Sequence, residues 1–131
     1  MLWACLPFGG IRAAKADGPG VLPGTGTNVS LTYYISNGQA AITGYERASG
    51  KTTLSIPANI AGCPVKTISD AAFRGASELT GNLVIPSSVT AIGQGAFSEC
   101  MGFHGTLTLP SGLKTIGDSA FSDCRELTGP L

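Results

Sequence analysis

The sequence predicts a mainly β fold with short helical turns, wound as a solenoid of coils about 24 residues long. One observation behind this is an Ala-Phe pair that returns every 24 residues, beginning at Ala72, Ala96 and Ala120. Another is that residues 79–102 and 103–126 are identical at ten of 24 positions. A fixed period of this length is typical of solenoids, in which each repeat is one supersecondary unit stacked on the next. An Asn-Gly pair before the repeats is the third observation, because it predicts a hairpin that caps the first coil.

Composition limits the partners that the chain can take. Its 131 residues suffice for one domain, and 43% of them are apolar, as in ordinary globular proteins. Only 12% are charged, so Ser, Thr, Asn and Gly must supply most of the polar surface. The eight basic residues are scattered among eight acidic ones, so no basic stripe predicts nucleic acid as a partner. No apolar run reaches the roughly 18 residues of a membrane span, and none is predicted.

The N-terminal part precedes the repeats. Residues 1–16 hold a short apolar stretch followed by Ala14-Lys15-Ala16, a small-x-small pattern like a signal-peptidase site. Two interpretations stay open for them: the remnant of a signal peptide, and a disordered leader. Residues 17–30 include the string GPGVLPGTGT, which cannot pack a core and therefore predicts a Gly/Pro-rich linker.

Residues 31–52 are predicted to form a β-hairpin cap. Apolar residues alternate with polar ones from Leu31 to Ile35, as in a strand with one buried face. Asn37 and Gly38 follow, and both tolerate the positive φ that a tight hairpin turn requires. A cap at this place would cover the apolar end and the unpaired strand edge of the first coil.

Each repeat is predicted to wind a short strand, a bend and a turn around one core. In the copy at 79–102, Leu83 and Ile85 point to one side of a strand that Pro86 ends, because proline lacks a backbone donor. The later core positions of this copy are Val89, Ile92, Ala96, Phe97 and Cys100. The repeats cover 53–131, as copies 53–78, 79–102 and 103–126 and a partial copy at 127–131.

The repeated phrase IP..V..IG..AF..C..L, with a first copy of the form IP..I.G.PV..I...AF, resembles the BspA-type leucine-rich repeat family. The match covers about residues 31–131 and is specific, because Pro, Gly, Ala-Phe and Cys recur in register. Ala76 stands where the family has Cys, and Phe103 where it has Leu. The resemblance implies a leucine-rich-repeat solenoid. It also implies a secreted or cell-surface protein, often bacterial, that adheres to host proteins, matrix proteins or other cells.

No motif predicts catalysis, a cofactor or a metal site. The tripeptide Gly50-Lys51-Thr52 lacks the first glycine of a phosphate-binding loop, since Tyr45 stands five positions before Gly50, and a polar turn is predicted instead. His104 is the only histidine, and the sequence places no acid beside it. Neither G-x-S-x-G nor H-E-x-x-H is present.

Two pairs of residues recur one coil apart and are candidate sites. Glu99 and Asp123 are equivalent, and a solvated edge is predicted for them rather than a calcium site, which needs more ligands. Cys100 and Cys124 are equivalent too, and a spacing of about 4.8 Å between coils would permit a disulfide. Because inward-pointing thiols serve packing equally well, both are predicted to be reduced.

The best candidates for binding are the outward-pointing side chains of the predicted sheet. The period places Thr53, Asn82 and Thr106 in one column, Ser55, Val84 and Thr108 in the next, and Thr80 with His104 in a third. Small polar side chains on a regular sheet suit recognition through many contacts. The alternative is that Thr occupies outer strand faces simply because it favours strands.

Three functions are consistent with these observations. The first is a non-enzymatic protein-binding module of an extracellular or cell-surface protein, with a host, matrix or cell-surface protein as its partner. The second is a repeat arm that targets an enzyme domain lying beyond Leu131. The third is an intracellular scaffold. The repeat, the low charge and the cleavage-like pattern favour the first.

Overall fold

The computed structural model describes residues 17–24, 29–47 and 49–128. The predicted leader at 1–16 lies outside these ranges, as do residues 129–131 of the partial repeat. Within them the chain forms strands joined by turns and bends, with no helix. The strands are Gly18–Leu22 (β1), Leu31–Ser36 (β2), Gln39–Tyr45 (β3), Thr52–Thr53 (β4), Asn59–Ile60 (β5), Cys63–Ile68 (β6), Leu79–Val84 (β7), Ala91–Ile92 (β8), Phe103–Thr108 (β9), Thr115–Ile116 (β10) and Leu127–Thr128 (β11).

These strands form two sheets around one core. The first sheet has the order β1-β2-β3-β6-β8-β10, with β5 paired to β6, and the second has the order β11-β9-β7-β4. Every pair of the second sheet is parallel, as are the first-sheet pairs from β3 to β10. Neighbouring strands of a sheet therefore come from successive coils, which confirms the predicted solenoid.

The predicted hairpin is present and continues the first sheet. β2 and β3 pair antiparallel, and Asn37 and Gly38 join them with φ of 52° and 74°, the signs that this turn requires. β3 then pairs in parallel with β6, where the Ser69 N–H donates to the Ile42 carbonyl at 2.8 Å. Thr52, assigned to the hairpin from the sequence, instead begins β4 of the second sheet.

The prediction of a linker at 17–30 is wrong over Gly18–Leu22, which is strand β1. All five of its residues pair antiparallel with β2. Two features of an edge strand explain the error. Pro19 needs no ladder hydrogen bond on the free side of the sheet. A Cβ on Gly20 would collide with the ring of Tyr33, so the glycine leaves room for that buried ring.

The expected helical turns occur as runs of single turns that join one coil to the next. Within the first coil, the Ala72 N–H donates to Ser69 O at 3.2 Å, a contact across three residues. Between coils, the Phe73 N–H donates to Ala96 O and the Phe97 N–H to Ala120 O, both at 2.8 Å. Satisfying these backbone groups across coils removes the need for a helix.

An aromatic column runs through the core from the hairpin to the last Ala-Phe pair. The rings of Phe73 and Phe97 stack with centroids 5.1 Å apart, and those of Phe97 and Phe121 with centroids 5.4 Å apart. Tyr45 at the end of β3 stacks on Phe73 at 5.5 Å. The hairpin therefore extends the column that the repeats build.

Burial of equivalent core residues falls along the stack. Ile68 and Ile92 are 0% and 2% exposed, whereas Ile116 is 48% exposed. Leu113 and Phe121 are only partly buried. The core side chains were thus predicted correctly by position, but those of the last coil have described neighbours on one side only.

Successive coils approach too closely for a side chain at Gly93. A Cβ built there would lie 2.5 Å from the Asp70 nitrogen and 2.7 Å from the carbonyl carbon of Ser69. Gly117 meets Gln94 in the same way one coil later. These glycines set the spacing of the stack at its bend.

Gly93→Ala is therefore expected to lower the free energy of unfolding by about 1–3 kcal/mol, because the added methyl overlaps backbone atoms that cannot turn aside. Urea denaturation followed by circular dichroism measures the change. The matched control is Gly50→Ala, since nothing lies within 4 Å of a Cβ at Gly50. The control should shift stability by less than about 0.5 kcal/mol; equal effects of the two variants would contradict the steric account.

Each coil also holds turn residues in the left-handed region at matching positions, and one of these positions occurs early in the turn. Ala71, Gly95 and Ser119 have φ of 55°, 61° and 57°. A residue with a Cβ is strained there, whereas glycine is not. The strain at Ala71 and Ser119 is therefore a property of the coil geometry.

Two opposite substitutions test this strain. Ser119→Gly should raise the free energy of unfolding by about 1 kcal/mol, and Gly95→Ala should lower it by about 1 kcal/mol. A Cβ on Gly95 would come no closer than 3.8 Å to Ser98 Cβ, so crowding does not contribute to the second change. Thermal unfolding of both variants gives the signs, and shifts in the same direction would rule out backbone strain as the cause.

Candidate functional site

The second sheet turns one face to the core and the other to solvent. Leu79 and Leu83 of β7 are fully buried, as is Phe103 of β9, and the residues between them point outward. All eight candidate binding residues lie on the outward side. Thr53, Ser55, Asn82, Val84, His104, Thr106 and Thr108 are exposed, and Thr80 is half-buried.

The predicted columns are right at one end of the sheet and wrong at the other. Val84 lies opposite Thr108, as predicted. Thr53, however, lies opposite Thr80 rather than Asn82. At the start of the strands, the observed pairing is shifted by two residues from the pairing that the 24-residue repeat predicts. An irregularity in the middle of the β7–β9 pair then restores the predicted register. The sequence period contains no trace of this bulge, so the first columns were misaligned.

Asn82 has a structural role in that irregularity. Its Oδ1 accepts a hydrogen bond from the Thr106 backbone N–H at 2.9 Å. Gly105, with φ of 141°, makes room for the amide, since a Cβ there would collide with the same oxygen. This oxygen of the candidate residue Asn82 is therefore already engaged within the chain.

The polar groups of the outward face differ in how freely they can bind. The Thr80 hydroxyl donates to Thr52 O at 3.2 Å, and Nδ1 of His104 lies 2.9 Å from Gly102 O. The hydroxyls of Thr106 and Thr108, by contrast, have no hydrogen-bond partner among the described residues. These two threonines are the open polar positions of the sheet.

A charged cluster that sequence reasoning missed fastens the hairpin to the first coil. The Tyr45 hydroxyl donates to Glu78 Oε1 at 2.7 Å, and Arg47 Nη1 donates to Glu78 Oε2 at 2.9 Å. Burial raises the pKa of Tyr45 above its ordinary value, and the hydrogen bond to the Glu78 carboxylate raises this pKa further. Glu78 lies more than 30 positions after Tyr45 and Arg47, so no local sequence pattern predicts the cluster.

The recurring carboxylates are paired with arginines. Glu99 Oε1 lies 2.9 Å from Arg74 Nη2, and Asp123 Oδ1 lies 3.1 Å from Arg125 Nη2. Within the described ranges no three His, Cys, Asp or Glu side chains come together as a metal site would require. Exposed ion pairs of this kind contribute at most about 1 kcal/mol each to stability. We therefore interpret them as solvated surface ion pairs on the turns and not as a binding site.

The segment at Gly50-Lys51-Thr52 has none of the geometry of a phosphate loop. Lys51 Nζ donates to Ser77 O at 2.9 Å, and Thr52 enters strand β4 instead of a helix. A phosphate loop needs the N-terminus of a helix behind it. The prediction of a polar turn agrees with this arrangement.

Cys100 and Cys124 are free thiols, as predicted. Cys100 Sγ lies 3.0 Å from Phe73 O and Cys124 Sγ lies 2.9 Å from Phe97 O, so each thiol points to the preceding coil. The pKa of Cys100 is raised, first by its hydrogen bond to the Cys124 sulfur and then by burial. A buried thiol of raised pKa forms little thiolate, which is the reactive species.

Both thiols are therefore expected to survive in protein purified without reductant. Denaturation in the presence of iodoacetamide, followed by peptide mass spectrometry, should find Cys100 and Cys124 alkylated. The physical reason is the raised pKa of Cys100, which keeps that sulfur protonated, together with the hydrogen bonds from both thiols to carbonyls of the preceding coil. A disulfide-linked peptide joining the two positions would contradict the assignment.

The described part of the chain holds no helix with the length and hydropathy needed to cross a bilayer.

The repeats and the stacked coils have counterparts among known proteins. The family model of the BspA-type leucine-rich repeat region matches residues 51–129, in six copies. A leucine-rich repeat protein of T. pallidum is 32% identical over 76% of this chain, with a TM-score of 0.64. A leucine-rich cell surface protein of Faecalibacterium prausnitzii is 30% identical over 86% of this chain, with a TM-score of 0.65.

The chain corresponds to only part of each of these two relatives. The chain spans 47% of the first of these proteins and 30% of the second. A leucine-rich repeat protein of Bacteroides capillosus, at 21% identity and a TM-score of 0.54, supports the fold alone. The search of curated proteins found no match. From the family model, the two identities and the stacked coils, the chain belongs to the BspA-type leucine-rich repeat family.

Proposed function

We propose that this chain is a non-enzymatic protein-binding module of a secreted or cell-surface protein, and that it binds through the outward face of the second sheet. We call this surface the threonine face; it comprises Thr53, Ser55, Thr80, Asn82, Val84, His104, Thr106 and Thr108. Its partner would be a host, matrix or cell-surface protein, which gives the module an adhesive role. Leucine-rich repeat proteins typically bind proteins, and this supports the general class.

The single observation that carries the proposal is the open group of side chains where β7 and β9 end on the threonine face. Val84 is 54% exposed and lies directly opposite Thr108 on the neighbouring strand. Thr106 is exposed beside them, with its hydroxyl unengaged within the described residues. An apolar side chain among free hydroxyls on a rigid sheet can pack against a partner and satisfy its polar groups at little entropic cost.

A surface location is supported by two findings. The family is the one implied by the sequence resemblance, and the protein of Faecalibacterium prausnitzii is described as a cell surface protein. The small share of charged residues also suits a partner held by many short-range contacts rather than by electrostatic steering.

The test is direct binding of the chain to immobilised fibronectin, fibrinogen and collagen, and to whole cells. Saturable binding is expected for the native sequence. The double variant Thr106→Lys and Thr108→Lys should weaken it by about tenfold or more, because two long charged side chains would be desolvated at the centre of the contact.

The matched control places the same change on the first sheet. Thr43 and Thr115 are also exposed strand threonines, so Thr43→Lys with Thr115→Lys adds the same charge elsewhere. This control should bind within about twofold of the native chain. Circular dichroism confirms that each variant is folded. Absence of binding by the folded native chain, or equal loss in both double variants, would contradict the proposal.

A further inference from the structure

A groove of 410 Å³ lies on the hairpin side of the molecule, on the first sheet rather than on the threonine face. Among the residues that the structure describes, no charged side chain lines it. The groups that matter are Tyr34, Ser36, Asn37, Gln39, Ala41 and Thr67. They come from β2, the hairpin turn, β3 and β6, so the groove exists only where the cap meets the first coil.

The groove arises because an outward tyrosine stands among small residues. Tyr33 is 7% exposed, whereas its neighbour Tyr34 is 47% exposed on the other side of β2. Directly across the strand from Tyr34 lies Ala41, and Thr67 lies across from Ala41. A methyl group and a short hydroxyl side chain cannot fill the space beside the ring, so one flank of the phenol stays uncovered.

The polar side chains around the ring are unengaged within the described part of the chain. The side chains of Ser36, Asn37, Gln39 and Thr67 have no hydrogen-bond partner among the described residues. Two amides and two hydroxyls together offer both donors and acceptors, since each such group can do either. On the threonine face, by comparison, several of the polar groups already bond within the chain.

We propose that this groove binds a neutral pyranose ring of an oligosaccharide. A pyranose has a patch of C–H groups on its face, and the positive edge of such groups suits the negative face of the Tyr34 ring. Its peripheral hydroxyls both donate and accept, as do the amides of Asn37 and Gln39. The described part of the lining is uncharged, which disfavours a phosphate or an acidic sugar, because its charge would be desolvated there without a partner. The volume lies within the range of roughly 300–1,000 Å³ for small-ligand sites.

The experiment uses the whole chain on an array of neutral oligosaccharides, followed by saturation-transfer NMR titration of the bound glycan. Tyr34→Phe keeps the ring and should bind within about twofold of the native chain. Tyr34→Ala removes the ring and should lose about tenfold in affinity. Ala41→Ile fills the space beside the ring and should lose a similar amount.

The Ala41→Ile variant is expected to stay folded, because isoleucine favours strands more than alanine does and the position faces outward. A loss of binding in this variant therefore reports on the groove and not on misfolding. The double variant Thr106→Lys and Thr108→Lys should bind the glycan normally, which separates this site from the threonine face. Three results would overturn the proposal. The first is that the native chain binds no neutral glycan on the array, and the second is that glycan binding is unchanged by both Tyr34→Ala and Ala41→Ile. The third is that Ala41→Ile abolishes binding of a protein ligand and leaves glycan binding intact.

Discussion

The spacing between neighbouring coils is the constraint on which the rest of this structure depends. Parallel strands pair at about 4.8 Å, and the whole coil must repeat at close to that distance if every coil is to join both sheets. The phenylalanine rings stack at 5.1 and 5.4 Å, so the core and the backbone ladders keep the same step. Gly93 and Gly117 leave the bends free of side chains, which allows the step to be short there as well.

The hairpin can cap this stack because it keeps the spacing between coils while using a different aromatic side chain. Tyr45 takes the place of a phenylalanine in the aromatic column, and its hydroxyl reaches Glu78 of the first coil. A tyrosine suits the end of the column, since its ring packs while its polar tip needs a partner. The cap also changes the character of the outer surface, because it exposes Tyr34, whereas the threonine face carries no tyrosine.

The sequence alone predicts those parts of the fold that depend on local periodicity. The 24-residue period located the core, the alternation located the outward residues, and Asn37 with Gly38 located the hairpin. Strand β1 escaped prediction because its stability comes from pairing with β2 and from the room that Gly20 leaves for Tyr33. Glycine and proline content describes a segment's own preferences and says nothing about a partner strand.

The candidate site was predicted by face but not by register. Alternation along a strand fixes which side a residue occupies, and all eight candidates are on the outward side. The bulge at Gly105 depends on the Asn82 amide of the neighbouring coil, which is a contact between residues 24 positions apart. The groove beside Tyr34 depends on three separate segments meeting, so no single stretch of sequence could indicate it.

The central claim is that cap and coils form one continuous stack, and amide hydrogen exchange measured by NMR tests it most directly. The Ser69 N–H, which donates to Ile42 O, reports on the junction of hairpin and first coil, and the Phe97 N–H, which donates to Ala120 O, reports on a junction between coils. The account predicts slow exchange at both amides, with similar protection. Unprotected exchange at Ser69 beside a protected Phe97 would show that the hairpin is not part of the stack.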